Sequence, residues 1–251
     1  MIKAIMHGCN GRMGHVIVDL AAADNGIEIV AGVDAFGENT YSFPVFKSID
    51  ECDVEADVLI DFSNAKAVDG LLEVCAKKNL PVVLCTTGLS DEQLENVHEV
   101  SRKVAILKSA NMSVGINMLM KVLGEISPAL FDAGFDIDIV EKHHNQKLDA
   151  PSGTALALAD SVNESLSDKC EYVYDRSGRR EKRPKKEIGI SAVRGGTIVG
   201  DHDVIFAGTD EVITLSHRAY SRAVFGKGAI EAAKFLAGKS AGMYDMSNVI
   251  G

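Results

Sequence analysis

Ile2-Lys3-Ala4-Ile5-Met6-His7-Gly8-Cys9-Asn10-Gly11-Arg12-Met13-Gly14 reads as an apolar strand, Ile2–His7, that breaks into a glycine-spaced turn and enters a helix over 14–23. Glycine at these spacings permits a tight turn, close approach of backbone to a phosphate group, and close packing of helix on strand. The start of such a helix presents backbone N–H groups without intrahelical partners, which suits an anion. A second strand, Ile27–Val33, closes on Asp34, where a carboxylate meets the hydroxyls of an adenosine ribose. Residues 8–14 (Gly8, Cys9, Asn10, Gly11, Arg12, Met13 and Gly14) with Asp34 are therefore candidate dinucleotide contacts. The spacing is GxxGxxG rather than GxGxxG, so a glycine turn serving some other ligand stays open.

Strand and helix patterns go on alternating. Residues 56–62 form a third strand, and 65–78 an amphipathic helix with Val68, Leu71, Leu72 and Cys75 on one face. Residues 81–85 form a fourth strand, Ser90-Asp91-Glu92-Gln93 a capping box, and 104–107 a fifth strand. Residues 35–54 read as irregular, with Gly37, Asn39 and Pro44 marking turns. This alternation predicts a Rossmann-like, doubly wound parallel sheet. Thr86-Thr87-Gly88 and Ala110-Asn111-Met112 fall at carboxyl ends of strands, where open α/β sheets bind ligands, although each also fits a plain turn.

After residue 113 the pattern changes to a long helix over 114–130, a strand over 135–140, and Glu141-Lys142-His143-His144-Asn145-Gln146-Lys147-Leu148-Asp149-Ala150-Pro151-Ser152-Gly153-Thr154. A helix over 153–166 and short β runs at 171–174, 188–193, 197–199, 203–206 and 212–216 follow, predicting a second, α+β domain with a mostly antiparallel sheet. A last helix covers 224–237. His143, His144 and Lys147 can supply protons or positive charge. Ser152, Gly153 and Thr154 stand where a helix begins, so their N–H groups can face a carboxylate. An ordinary surface histidine pair before a Ser/Thr cap is the competing reading.

Composition narrows the function. Net charge −10 argues against nucleic acid or an anionic membrane as partner. The basic stretch 176–186 reads as a solvated loop. No apolar run suggests a membrane span. Five scattered cysteines without a CxxC suit a reduced cytoplasm and speak against disulfides or a metal site.

Taken together, GCNGRMG at 8–14, TTG at 86–88, SANMSVG at 109–115, EKHHNQKLDAPSGTA at 141–155 and IVGDH at 198–202 make the whole chain resemble the 4-hydroxy-tetrahydrodipicolinate reductases (dihydrodipicolinate reductases) of lysine and diaminopimelate biosynthesis. The resemblance implies a nicotinamide-dependent reduction of 4-hydroxy-tetrahydrodipicolinate, through its dehydrated form, to tetrahydrodipicolinate. It implies that His143 and Lys147 are the acid–base pair and that His144, Ser152, Gly153 and Thr154 bind substrate. It implies cofactor contacts from residues 8–14, Asp34, Thr86, Thr87, Gly88, Ala110, Asn111 and Met112. It further implies a cytoplasmic homotetramer, a dinucleotide-binding domain of residues 1–113 plus 225–251, and a substrate-binding and tetramerisation domain of residues 114–224. Some members carry a basic residue directly after the ribose-binding acid; here Ala35 and Phe36 follow Asp34, so NADH is expected to be preferred and NADPH also accepted. Cys85 stands where many members have glycine. Another Rossmann dehydrogenase with a different small carboxylate, or an NAD(H)-binding sensor, are the alternatives; intact His143, His144 and Lys147 disfavour the sensor.

Overall fold

The structure, a computed structural model, describes residues 1–37 and 40–251; Asn39 lies outside the described residues. In chain order the elements are β1 (Ile2–His7), α1 (Arg12–Ala22), β2 (Ile27–Val33), β3 (Val45–Phe46), β4 (Val58–Asp61), α2 (Ala65–Lys78), β5 (Val82–Leu84), α3 (Asp91–Ser101), β6 (Ala105–Leu107), α4 (Val114–Asp132), β7 (Asp136–His143), α5 (Gly153–Ser165), β8 (Glu171–Val173), β9 (Glu187–Arg194), β10 (Gly200–Ala207), β11 (Val212–Ala219), α6 (Ala223–Leu236), β12 (Gly242–Tyr244) and α7 (Met246–Ile250). The chain divides into two compact units, one of residues 1–113 and 223–251, the other of residues 114–222.

The first unit is a seven-stranded parallel sheet in the order β12-β6-β5-β4-β1-β2-β3. Strand order reverses between β1 and β4, the switch point at which such sheets bind ligands. Its strands are apolar on both faces, as burial under helices requires. Met6, Val58, Ile60 and Val83 pack on the side of α1 and α6, and Ile5, Leu59, Val82 and Ile106 on the side of α2 and α3. Asn64 caps α2 and Ser90 with Gln93 forms the capping box of α3. Within the stretch expected to be irregular, β3 extends the sheet by two residues and Ile49–Glu51 make one turn of 3-10 helix.

The second unit is a five-stranded sheet, β11-β10-β7-β9-β8, with α4 and α5 covering one face. The sheet is mixed rather than mostly antiparallel: β10 pairs antiparallel with β11 and β7, whereas β9 runs parallel to both β7 and β8. The reason is the connection, since α5 lies between β7 and β8 and carries the chain back to the same end of the sheet. Residues 197–199, expected as a strand, form the turn before β10, with Gly196 at φ 49°. The strand expected over 135–140 runs on to His143, placing the first histidine of the pair on the sheet. By length and composition alone α4 is long and apolar enough to cross a membrane, a test that a core helix also passes. Its Ile116, Leu119 and Leu123 are nonetheless buried, the latter two in the core shared with α5 and β7.

Candidate active site and cofactor cleft

In the first unit the carboxyl ends of β1, β2 and β4 open onto a cleft of about 620 Å³ lined by His7, Gly8, Asn10, Gly11, Asp34 and Lys47 among others. Gly8 sits at φ +81°, and a Cβ there would lie 2.6 Å from the Phe62 carbonyl. A Cβ on Gly14 would lie 2.3 Å from the Gly8 carbonyl, so only glycine lets α1 start this close to the turn. Gly11 is the N-cap of α1 and, among the described residues, no side chain caps that helix, which leaves the N–H groups of its first turn without a side-chain partner. Asp34 accepts hydrogen bonds from the N–H groups of Asn10 (2.9 Å) and Phe36 (3.0 Å), fixing its carboxylate at the end of β2. Cys9 is wholly buried and its sulfur packs toward Gly32, so only its backbone is placed to meet a ligand. Arg12 is exposed and Met13 half-buried.

Of the two further turns, Thr87, Gly88 (φ +74°) and Ala110 are exposed, whereas Thr86 and Met112 are buried. The Thr86 hydroxyl donates to Asp61 (2.6 Å), whose other oxygen meets His7 Nδ1 (2.7 Å). Asp61 thereby ties the ends of β1, β4 and the β5 turn together. Asn111 accepts from the Ser113 N–H (2.8 Å), which shapes the turn after β6.

In the second unit the side chains of Glu141 and His143 stand two apart on β7 and so share one face of the sheet. His143 Nδ1 lies 2.6 Å from Glu141 Oε2. Arg194, the register partner of His143 on β9, donates to both Glu141 oxygens at 2.7 Å, and the Ser152 N–H donates to Oε1 at 3.0 Å. Burial alone would raise the Glu141 proton affinity, but these partners outweigh it and hold the carboxyl below its ordinary range. Burial lowers the His143 pKa, with Lys147 and Arg194 adding to the effect and Glu141 opposing it. With Nδ1 against Glu141, Nε2 is the nitrogen of His143 left for another partner. Gly200, at the start of β10, lies close by, and a Cβ there would come within 3.1 Å of that nitrogen. His202 on β10 packs edge-on to His143 (5.1 Å between ring centres) and is depressed to about 4, first by burial and then by His143.

His144 is half-buried just beyond the strand. Lys147 forms an ion pair with Asp149 at 2.8 Å. Ser152 is the N-cap of α5: its hydroxyl accepts from the Ala155 N–H (3.2 Å) and lies 3.3 Å from His202 Nε2, and the residue is buried. Gly153 is exposed, with nothing near the position of a side chain, and Thr154 is half-buried.

Residues 2–112 match the family model described as dihydrodipicolinate reductase, N-terminus, and residues 115–250 match the one described as dihydrodipicolinate reductase, C-terminus. The chain belongs to the dihydrodipicolinate reductase family. A 4-hydroxy-tetrahydrodipicolinate reductase of Caldanaerobacter subterraneus subsp. tengcongensis is 54% identical over 100% of this chain and 98% of its own length. One from Clostridium tetani is 52% identical over 98% of this chain and 96% of its own. A solved dihydrodipicolinate reductase from Paenisporosarcina sp. TG-14, with dipicolinate bound, superposes with a TM-score of 0.82 at 25% identity, covering 100% of both chains.

Two residues of the site and the order of the basic stretch are not legible in the sequence. Glu141 was legible as the i−2 neighbour of His143, but Arg194 is 53 residues away and only the parallel register of β9 brings it in. His202 arrives through the β7–β10 pairing, opposite Glu141. The basic stretch is not a simply solvated loop: Arg176 pairs with Asp138 and Glu187, Arg179 with Glu187, and Arg183 with Asp136 and Asp138. Gly189 makes room for this cluster, since a Cβ would lie on the Asp138 carboxylate. Cys85 packs against the core of the first unit, its thiol toward the Val83 carbonyl, and leaves Thr87 and Gly88 exposed.

Proposed function

We propose that this oxidoreductase reduces 4-hydroxy-tetrahydrodipicolinate, through its dehydrated form, to tetrahydrodipicolinate, the reaction for which its relatives are named. The observation that carries the reading is a buried, carboxylate-held histidine (His143) in the same motif as a cationic lysine and an exposed helix-start glycine. Gly8, Asn10, Gly11 and the opening of α1 would cradle the pyrophosphate of a nicotinamide dinucleotide, and Asp34 would hold its adenosine ribose. Bound there, the cofactor supplies the hydride. Thr87, Gly88 and Ala110 contact it at the exposed strand ends, with Arg12 beside the phosphates. Cys9, Met13, Thr86, Asn111 and Met112 contribute backbone or shape the turns.

The substrate is a small dicarboxylate, and its charges call for the groups on the second unit. Lys147, the Gly153 N–H and Thr154 take one carboxylate, and His144 adds a polar contact. Ser152 contributes by fixing the turn, since its hydroxyl already serves α5. The reduced ring gains a proton as well as a hydride, and His143 with Lys147 forms the acid–base pair that provides it. A dianion arriving beside His143 favours its protonated form and offsets the effect of burial. Glu141 sets the ring's orientation and Arg194 holds Glu141.

NADH is the preferred cofactor and NADPH is also accepted. Asp34 repels a 2′-phosphate, yet Lys47 lines the same cleft. The uncovered face of the second sheet carries Val140, Val193, Ile205 and Val212, and this face assembles a homotetramer. Its five free cysteines fit the cytoplasm. Steady-state oxidation of NADH with enzymatically generated substrate tests the reading; turnover supports it, and no turnover beside NADH binding would favour the sensor.

A further inference from the structure

We propose that Asp149 is an internal competitor for the carboxylate site: its side chain occupies Lys147 until a substrate carboxylate displaces it. The proposal rests on the assignment of Lys147 to substrate binding. Asp149 Oδ1 lies 2.8 Å from Lys147 Nζ. Lys147 foremost holds its carboxyl below the ordinary range. The lysine that would hold the ligand is thus already holding a carboxylate, one that belongs to the chain itself.

Three features make the arrangement reversible. The Asp149 side chain is 56% exposed, so it can turn into water without leaving a buried charge. Its backbone is pinned, because Arg194 Nη2 donates to the Asp149 carbonyl at 2.6 Å, so a side-chain rotation suffices. Two carboxylates at one ammonium repel each other, so Asp149 on Lys147 weakens the hold of that lysine on a substrate carboxylate, and the reverse. In the substrate-free state Asp149 keeps Lys147 oriented, and after reaction its return helps the product carboxylate leave.

The test is calorimetric binding of pyridine-2,6-dicarboxylate to the full-length protein with saturating NADH. Asp149→Asn and Asp149→Ala should each bind about two- to fivefold more tightly, the scale of a half-exposed ion pair. The gain should vanish in a Lys147→Ala background. Unchanged or weaker binding in both Asp149 variants, with wild-type binding that depends on Lys147, would overturn this proposal alone. Wild-type binding indifferent to Lys147→Ala would overturn the site assignment and the proposal with it.

Discussion

Glu141 is fully buried yet ionised, and each of its oxygens is used: Oε1 by Arg194 and the Ser152 N–H, Oε2 by Arg194 and His143. Its charge does two things, orienting the His143 ring and favouring that ring's protonated form. Glu141→Gln keeps the shape and removes the charge. Turnover should fall roughly ten- to a hundredfold, part of a general-acid contribution, while NADH affinity stays unchanged. The pH profile should also move to lower pH, because His143 loses the group that supports its proton. A profile that does not move would assign Glu141 a merely structural role. His202 makes a second prediction. Its folded value of about 4 lies below the ordinary 6.5. Above pH 6.5 neither the folded nor the unfolded chain carries its proton; between 6.5 and 4 only the unfolded chain does, so stability falls as pH falls. The full effect is roughly 3 kcal/mol. Urea midpoints from pH 7 to 4.5 should show that slope, and His202→Asn should flatten it.

At the scale of elements, the glycine turn and α1 were plain in the sequence because the constraint is local. A glycine spacing, an apolar strand and a helix start all lie within 13 residues. Gly14→Ala puts a methyl group 2.3 Å from the Gly8 carbonyl, and backbone must shift. We expect a stability loss of about 1–3 kcal/mol, together with weakened NADH binding and unchanged dicarboxylate binding. Equal loss of both ligands in the folded variant would contradict that division. Pairing across the second sheet was not legible in the same way. The register of β7 with β9 and β10 joins residues about 50 to 70 apart, and nothing local marks Arg194 or His202 as partners of Glu141. Nor does apolar content distinguish a β-rich turn such as 197–199 from a strand. The parallel direction of β8 follows from the α5 crossover, and that of β9 from the return of the chain through 174–186, not from the short β runs themselves. The ion pairs of Arg176, Arg179 and Arg183 escaped for the same reason, since Asp138 and Glu187 lie on strands that only the fold brings together.

For the whole molecule, cofactor choice is an electrostatic balance around one cleft. With the adenosine ribose at Asp34 as proposed, its charge would oppose a 2′-phosphate at a cost of about 1 kcal/mol, or several-fold in affinity, because the site is partly solvated. Lys47 lines the same cleft and, in this structure, lies 3.4 Å from the Gly37 carbonyl. NADH should therefore be preferred by a modest factor in kcat/KM at fixed ionic strength, and Ala35→Arg should shift the balance toward NADPH. A tenfold wild-type preference for NADPH would show that Lys47 or Arg12 dominates Asp34. The central claim is that the segment from His143 to Thr154 both binds the dicarboxylate and supplies the proton. The most direct measurement is turnover of His143→Ala and Lys147→Ala beside their NADH affinities. Each should lose roughly 10²–10⁴ in kcat, Lys147→Ala should also raise the substrate KM, and both should bind NADH as the wild type does. Near-normal turnover in both variants would contradict the account.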